Sequence, residues 1–272
     1  MIRVLLSKFQ KISNYYTWIL HPRILTIFTS GDFTERNLVI EFFKSLRPVN
    51  TEFQLLRVGG ANDGGYLVPN DLDGLCGLIS PGVGDSVTFD CEITSRTIPG
   101  VLIDASVPAP DLPSNLIFLS KYLGNSDDAN ISINSVIHTY FSSCDDLFLS
   151  IDIEGDEWDV LKATSVDDLK KFRIITIELH YLNLILNKEK YSSVITPCIS
   201  KLLDHFYVLH THANNGGGYF YFQQFKFPRV LELTLIRKDR VKKLYGIKKL
   251  PHKLDSPNIG NKKELKLPKF MR

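Results

Sequence analysis

An open α/β sheet of seven strands, mainly parallel with an antiparallel final pair and preceded by an N-terminal helical extension, is predicted by three observations. From residue 75 onward, short apolar runs of strand length alternate with stretches at helical spacing, the pattern of a parallel sheet covered by helices on both faces. LFLSIDIEGDEWDVL, residues 147 to 161, passes from a buried strand into a helix through Ile-Glu-Gly-Asp. The last two apolar runs are joined by a glycine- and aromatic-rich link without a helix, which suits an antiparallel pair.

Taken in order, MIRVLLSKFQKISNYYTWILHPRILTIF mixes apolar and basic residues without the ~18 uninterrupted apolar positions of a spanning helix. It has no small-residue cleavage site and suits an amphipathic helix packed on the domain, a second subunit or a membrane surface. Residues 34–49 predict a helix with Thr34 as cap and Pro48 as stop. Residues 55–72, LLRVGGANDGGYLVPNDL, set four glycines and Asp63 between two short apolar runs, a tight turn or hairpin. Strands are expected at 75–80, 101–107, 116–124, 147 onward, 172–182, 206–215 and 229–239, with helices near 89–98, 131–143 and 186–206. Tyr219, Phe220, Tyr221 and Phe222 alternate as a packing strand does. The domain organisation expected is an extension at 1–50, a catalytic domain at 51–240 and a basic tail at 241–272.

With 44% hydrophobic and 23% charged residues, the composition is that of a soluble globular protein. The net charge of +2 conceals a basic end with Lys238, Arg240, Lys242, Lys243, Lys248 and Lys249, which either touches an anionic surface or is merely solvated. Cys76, Cys91, Cys144 and Cys198 show neither a CxxC pair nor zinc-finger spacing, so reduced core thiols and a cytoplasmic location are expected.

In an open α/β sheet, ligands bind at the carboxyl ends of the strands. The first strand ends in Ser80-Pro81-Gly82-Val83-Gly84-Asp85-Ser86, where Gly82 and Gly84 let backbone approach a ligand. The second ends at Asp104, roughly twenty residues on, where a carboxylate can take both hydroxyls of a ribose. Val87 stands where a dinucleotide fingerprint wants Gly or Ala. That departure and the antiparallel pair favour S-adenosylmethionine. Asp152 and Glu154 are two apart at a strand end and can point the same way. They either meet a cation, metal or ligand or, with Asp156, simply open the next helix. Glu178 and His180 end the fifth strand, His210 and His212 the sixth. Asp152, His180 and His212 form a set suited to Mn, Fe, Mg or Zn, with Glu178 as a fourth ligand or supporting partner. Without metal, His180 is a general base, His210 packs in the core and His212 caps the following loop. Asn214 and Asn215 either bond substrate hydroxyls or form the turn before Gly216.

These segments resemble the FkbM-type class I methyltransferases. SIDIEGDEWDVL looks like that family's Asp-x-Glu-Gly segment, ISPGVGDS like its modified glycine motif and VLIDASV like its ribose-binding strand end. IELH and HANN resemble its last active-site strands, and RVGGANDGGYLVP resembles the leading motif of a sugar-methylating branch. The likeness runs from residue 55 to about residue 237 and implies a Rossmann-like fold with S-adenosyl-L-methionine as cofactor. Ser80 and Pro81 replace the acid that often begins the glycine motif, so the resemblance passes the cofactor amine contact to Asp63 or Asp152. It also implies O-methylation of a sugar, a glycolipid or another small hydroxylated metabolite; the leading expectation is a carbohydrate, either a sugar nucleotide or a surface-glycan precursor. The strand-end residues themselves point to Asp152, His180 and His212 as catalytic and Glu154, Asn214 and Asn215 as facing substrate. A sulfonium is a good leaving group, so the protein must hold an oxygen in line and make it nucleophilic, by a base or a divalent metal. The alternatives are a nicotinamide-dependent sugar-nucleotide oxidoreductase or epimerase, and a non-catalytic binding module. No Asn-Pro-Pro-Tyr run points to a nucleic-acid base. The partners expected are a small-molecule or glycan substrate, a second copy of the chain, and peripheral contact with a membrane.

Overall fold

The computed structural model describes residues 32–94, 97–124 and 127–272. The greater part of the expected N-terminal extension therefore lies outside the described residues. Its last part forms helix α1, Arg36–Ser45, which buries Val39, Phe42 and Phe43. Glu35, not Thr34, occupies the cap position and makes no side-chain cap bond. Thr34 is instead buried, its N–H donating to the Leu186 carbonyl at 3.0 Å. The helix ends well before Pro48, since a residue preceding proline disfavours the helical conformation.

Strand β1, Val49–Thr51, is followed by the expected hairpin of β2, Leu55–Val58, and β3, Tyr66–Pro69, paired antiparallel. Then come β4, Gly77–Pro81, helix α2, Thr88–Thr94, and strands β5, Gly100–Ile103, and β6, Leu116–Leu119. The strand expected to run to residue 124 stops at Leu119. After two intervening residues β7, Tyr122–Leu123, pairs separately with β8, Asn130–Ile131. Helix α3, Ile133–Tyr140, is capped by the Ser132 hydroxyl accepting from the Ser135 N–H. It leads to β9, Leu147–Ile151, helices α4, Glu157–Ala163, and α5, Val166–Leu169, and strand β10, Phe172–Leu179.

The segment expected to be mostly helix over 186–206 is helical without a gap from Lys188 to His205, with a π segment inside it. A 3-10 turn at Leu182–Leu186, an α-helical turn at Lys188–Lys190 and a π turn at Tyr191–Ile195 precede α6, Thr196–His205. Pro197 has no N–H to continue the ladder and is tolerated in the first turn of a helix, which is where α6 starts. Strands β11, Phe206–Ala213, β12, Tyr219–Phe222, β13, Phe225–Pro228, β14, Leu231–Arg237, and β15, Leu244–Ile247, complete the fold.

The central sheet has seven strands in the order β11-β14-β10-β9-β4-β5-β6. Pairing is parallel from β10 through β6, and β14 is antiparallel to both β10 and β11. Strands β4, β5, β9 and β10 are buried along their whole lengths, as expected where helices cover both faces. One apolar layer joins the sheet to α1, α3, α4 and α6, and a second, containing Tyr66, Phe89 and Phe148, lies under the hairpin and α2. Phe43 and Phe227 stack with centroids 4.4 Å apart and are fully buried.

Two expectations are corrected here. Cys76 and Cys144, expected as reduced thiols, are paired as a disulfide with Cα atoms 5.9 Å apart. They lie just ahead of β4 and β9, adjacent parallel strands in which Gly77 faces Leu147, so the two lead-ins meet at one end of the sheet. Cys91 and Cys198 are free. The basic segment after residue 240 is not a solvated tail along its whole length, because Leu250, Leu267 and Met271 are buried in the main core. Among the described residues no helix is long and apolar enough to cross a membrane.

Phe227→Ala removes a fully buried ring stacked on α1 and should cost about 3–5 kcal/mol, measured as a lowered urea midpoint at unchanged slope.

Candidate active site

The glycine turn after β4 is built by close approach. Gly82 has φ +85°, and a Cβ there would lie 1.5 Å from the Asp152 carbonyl oxygen, so no side chain fits. The turn is tied to both neighbouring strands: Gly82 N–H donates to the Ile103 carbonyl at 3.0 Å, and Asp152 N–H to the Pro81 carbonyl at 3.2 Å. Asp104 and Asp152 therefore flank one turn on one rim. Asp104 Oδ2 accepts from Val83 and Gly84 N–H at 3.0 and 3.3 Å, and Oδ1 from the Ser106 N–H and hydroxyl at 2.7 and 2.6 Å. Burial alone would raise this carboxyl, but those four bonds hold it below its ordinary value. They also fill its acceptor capacity. Asp104, expected as a ribose acceptor, tethers the turn through these bonds. Asp85 is exposed beside it.

The Asp-Ile-Glu-Gly turn is fixed by a carboxylate that the sequence reading did not single out. Glu157, fully buried at the start of α4, accepts through Oε1 from Ile153 N–H at 2.9 Å, Gly155 N–H at 3.2 Å and His180 Nδ1 at 3.0 Å. That last bond leaves His180 Nε2 directed at Glu154 Oε2, 3.5 Å, Glu178 Oε1, 3.8 Å, and Asp152 Oδ1, 4.0 Å. The Trp158 indole N–H holds the His180 carbonyl at 2.8 Å. Two side-chain-bearing residues here adopt the left-handed region, Glu154 at φ +56° and Tyr181 at φ +54°, a costly conformation found where surrounding structure fixes it. The Tyr181 ring fills the place a Cβ on Gly155 would need. The Asp152 side chain is 31% exposed and that of Glu154 86% exposed, so both border solvent above a buried imidazole.

Charges in this cluster shift one another. Burial pushes His180 down, but the hydrogen bond and charge of Glu157, with the charges of Asp152 and Glu154, overcome it and raise the imidazole to about 9. Asp152 is raised to about 7, chiefly by desolvation. Glu178 is pushed well above the carboxylate range by burial and by Asp152, Glu232 and Asp63.

His212 does not join this group. Strand β14 slots between β10 and β11, so three strand spacings, roughly 14 Å, separate β9 from β11. The ligand set Asp152, His180 and His212 is therefore divided. Glu178, Glu232 and His212 instead stand in register across β10, β14 and β11. His212 Nδ1 donates to Glu232 Oε2 at 3.0 Å and Nε2 to Glu264 Oε2 at 3.3 Å, rather than capping the loop. Asp63 of the hairpin joins Glu178 and Glu232, ligand atoms within 4.8 Å of one another, and Asn258 donates to both Asp63 and Glu232. His210, expected as a core residue, is buried and pairs with Asp255 at 2.8 Å.

The two asparagines are structural in this arrangement. Asn214 donates to Glu178 Oε1 at 2.6 Å and accepts from Gly216 N–H at 2.7 Å. Asn215 spends its carboxamide on Ile259 and Lys262 of the C-terminal segment. Besides Glu157, sequence reading missed Glu232, Asn258, Glu264 and Asp90. The last is a buried carboxyl on α2, raised to about 6 by desolvation despite a hydrogen bond from Ser80. Only Glu157 carried a signal, an acid three residues beyond Glu154 at a helix start.

A seven-stranded sheet whose one antiparallel strand lies second from the edge, with a glycine turn at the first parallel strand and carboxylates along the same rim, is a Rossmann-like methyltransferase fold. Residues 79–196 match the family model of the methyltransferase FkbM domain, and an FkbM-type methyltransferase domain occupies this part of the chain. That match sets methyl transfer ahead of nicotinamide oxidoreduction and of a non-catalytic module. No curated protein matches the chain.

Gly82→Ala should cost about 3 kcal/mol or more, since strand β9 must move. Gly84→Ala, with φ +58° and nothing within 4 Å, should cost only about 1–2 kcal/mol; thermal melts of both variants compare them. His212 is raised from 6.5 to about 9 against burial by its bond to Glu232 and the charges of Glu232, Asp255 and Glu264. A raised folded value stabilises fully below the unfolded value and is lost as pH climbs through the folded one. The melting-temperature gap between the native chain and His212→Gln should accordingly shrink between pH 6.5 and about 9.

Proposed function

We propose that the chain transfers the methyl group of S-adenosylmethionine to a hydroxyl of a carbohydrate, a sugar nucleotide or a surface-glycan precursor. The observation that carries this reading is the solvent-bordering Asp152 and Glu154 over buried His180, immediately beside the Gly82 turn. The turn residues Gly82, Gly84 and Asp85, tethered by Asp104, seat the adenosyl part of the donor. Ribose hydroxyls compete there for acceptor positions now used by the Asp104 bonds. The hairpin RVGGANDGGYLVP supports the carbohydrate reading, because its Asp63 reaches the same buried row through Asn258. With Asp152 used as a base, the donor's amine contact falls to Asp63.

In the reaction the acceptor oxygen attacks the methyl carbon, the carbon–sulfur bond breaks and its electron pair neutralises the sulfonium. The acceptor proton passes to a base. Asp152, with a value near 7, is matched to that role at neutral pH. His180, protonated through its Glu157, Asp152 and Glu154 neighbours, offers an N–H to hold the acceptor oxygen in line. Glu154 extends the acceptor side into solvent, where a second sugar hydroxyl can be bonded.

Asp152, Glu154 and His180 also present ligand atoms within 4.8 Å of one another. They are of the types that take Mn, Fe, Mg or Zn, and Glu157 on the far ring nitrogen supports His180 as such partners support metal-binding histidines. As an alternative to the proton roles above, with His180 unprotonated at Nε2, these residues would hold a divalent ion that supplies Lewis acidity to lower the pKa of the acceptor hydroxyl.

The test is mass-spectrometric detection of a methylated product from a panel of nucleotide sugars and glycan precursors, before and after chelation. Asp152→Asn should lower kcat/KM by about 10²–10⁴-fold with folding retained. Full activity in chelator removes the metal from this reading; a wild-type-like Asp152→Asn, or no binding of S-adenosylhomocysteine by calorimetry, overturns the base or the donor assignment respectively.

A further inference from the structure

Away from the catalytic rim, strand β15 shows an unusual surface. All four of its residues are exposed, and three are large and apolar: Leu244, 49% exposed, Tyr245, 62%, and Ile247, 48%. Tyr245 is the most exposed of the large hydrophobic residues among the described residues. The strand is bracketed by cations, and Arg240-Val-Lys242-Lys243-Leu-Tyr-Gly-Ile-Lys248-Lys249 holds five basic residues and no acid. Lys242, Lys243 and Lys249 are exposed.

This is ordered chain, not a frayed end. Strand β15 pairs antiparallel with β1, the Lys242 and Lys243 N–H groups donate to the Glu52 carboxylate at 2.7 and 3.2 Å, and Lys248 N–H donates to the Pro48 carbonyl at 2.8 Å. The backbone thus fixes apolar side chains in water at a standing cost, which is informative where such residues cluster.

Two features say what covers them. The register with β1 is irregular and Gly246 sits at φ +93°; bulges and lysines are the devices that keep an edge from accepting another strand. A strand-adding protein partner is therefore disfavoured. Aliphatic residues beside a tyrosine, ringed by lysines, match instead a surface with an apolar interior, a polar boundary and negative charge. Tyrosine suits a membrane–water boundary, and lysines beside it attract anionic headgroups.

We propose that the β1–β15 ribbon docks the protein on an anionic lipid membrane, with Leu244, Tyr245 and Ile247 entering the headgroup region and Lys242, Lys243 and Lys249 facing acidic headgroups. This surface is independent of the catalytic reading.

The test is co-sedimentation of the full chain with vesicles of phosphatidylcholine, with and without phosphatidylglycerol. The native chain should pellet with the anionic vesicles and be released by salt. Leu244→Ser/Tyr245→Ser/Ile247→Ser and Lys242→Glu/Lys243→Glu should each weaken that partition by about tenfold or more, with melting temperature unchanged. Tyr245→Trp should show blue-shifted emission on anionic vesicles alone. Failure to pellet, equal partition to neutral vesicles, unchanged binding in either multiple variant, no Tyr245→Trp shift, or displacement from vesicles by an RNA oligonucleotide at equal charge would each overturn the proposal.

Discussion

A single buried carboxylate organises the centre of this protein. Glu157 accepts two backbone N–H groups of the Asp-Ile-Glu-Gly turn and the Nδ1 of His180 through the same oxygen. A charge with no surface exposure is tolerated only where hydrogen bonds and an opposite charge compensate it, and here the compensation fixes geometry. The turn is held in a conformation that puts Glu154 in the left-handed region, and the imidazole is held with one nitrogen toward the open rim. Strand β9, helix α4 and strand β10 are registered to one another at that point, and the glycine turn of β4 packs against the same turn through Gly82.

Around that point the rim accumulates carboxyl groups. Asp152, Glu154, Glu178, Glu232 and Asp63 lie near one another, with His180 and His212 as the imidazoles among them. The in-register row Glu178, Glu232 and His212 follows directly from strand pairing, because residues facing one another on adjacent strands project to the same side. Such a row is costly to desolvate, and the shifts of Glu178 and Asp152 record that cost as retained protons. Carboxyls held near neutrality and an imidazole held charged are the pairing of opposites on which acid–base chemistry is built.

Much of the architecture was legible in the sequence. Apolar runs of strand length located the sheet, and the helix-free link before residue 229 located its antiparallel strand. The Asp-Ile-Glu-Gly segment and the glycine turn were placed on the same rim by the rule that ligands sit at strand carboxyl ends. What failed did so for reasons that spacing cannot carry. His212 was grouped with Asp152 because strands were taken in chain order, whereas β14 returns to lie between β10 and β11. Asp104 and the two asparagines looked like free ligand groups, but each is engaged by the chain itself: Asp104 by the glycine turn and Ser106, Asn214 by Glu178 and Gly216, and Asn215 by the C-terminal segment. Asn258, Glu264 and Asp255 reach the rim from a lysine-rich stretch with no periodicity to mark it. The cysteine pair depended on two lead-ins that only strand adjacency brings together.

The C-terminal segment therefore has a consequence for how the molecule is made. Asp255, Asn258 and Glu264 complete the polar surroundings of His210, Glu232 and His212, and Met271 closes the core against α1, near the opposite end of the described chain. Until this segment docks, His210, Glu232 and His212 lack those partners, so the outer edge of the sheet stays hydrated and closes late in folding.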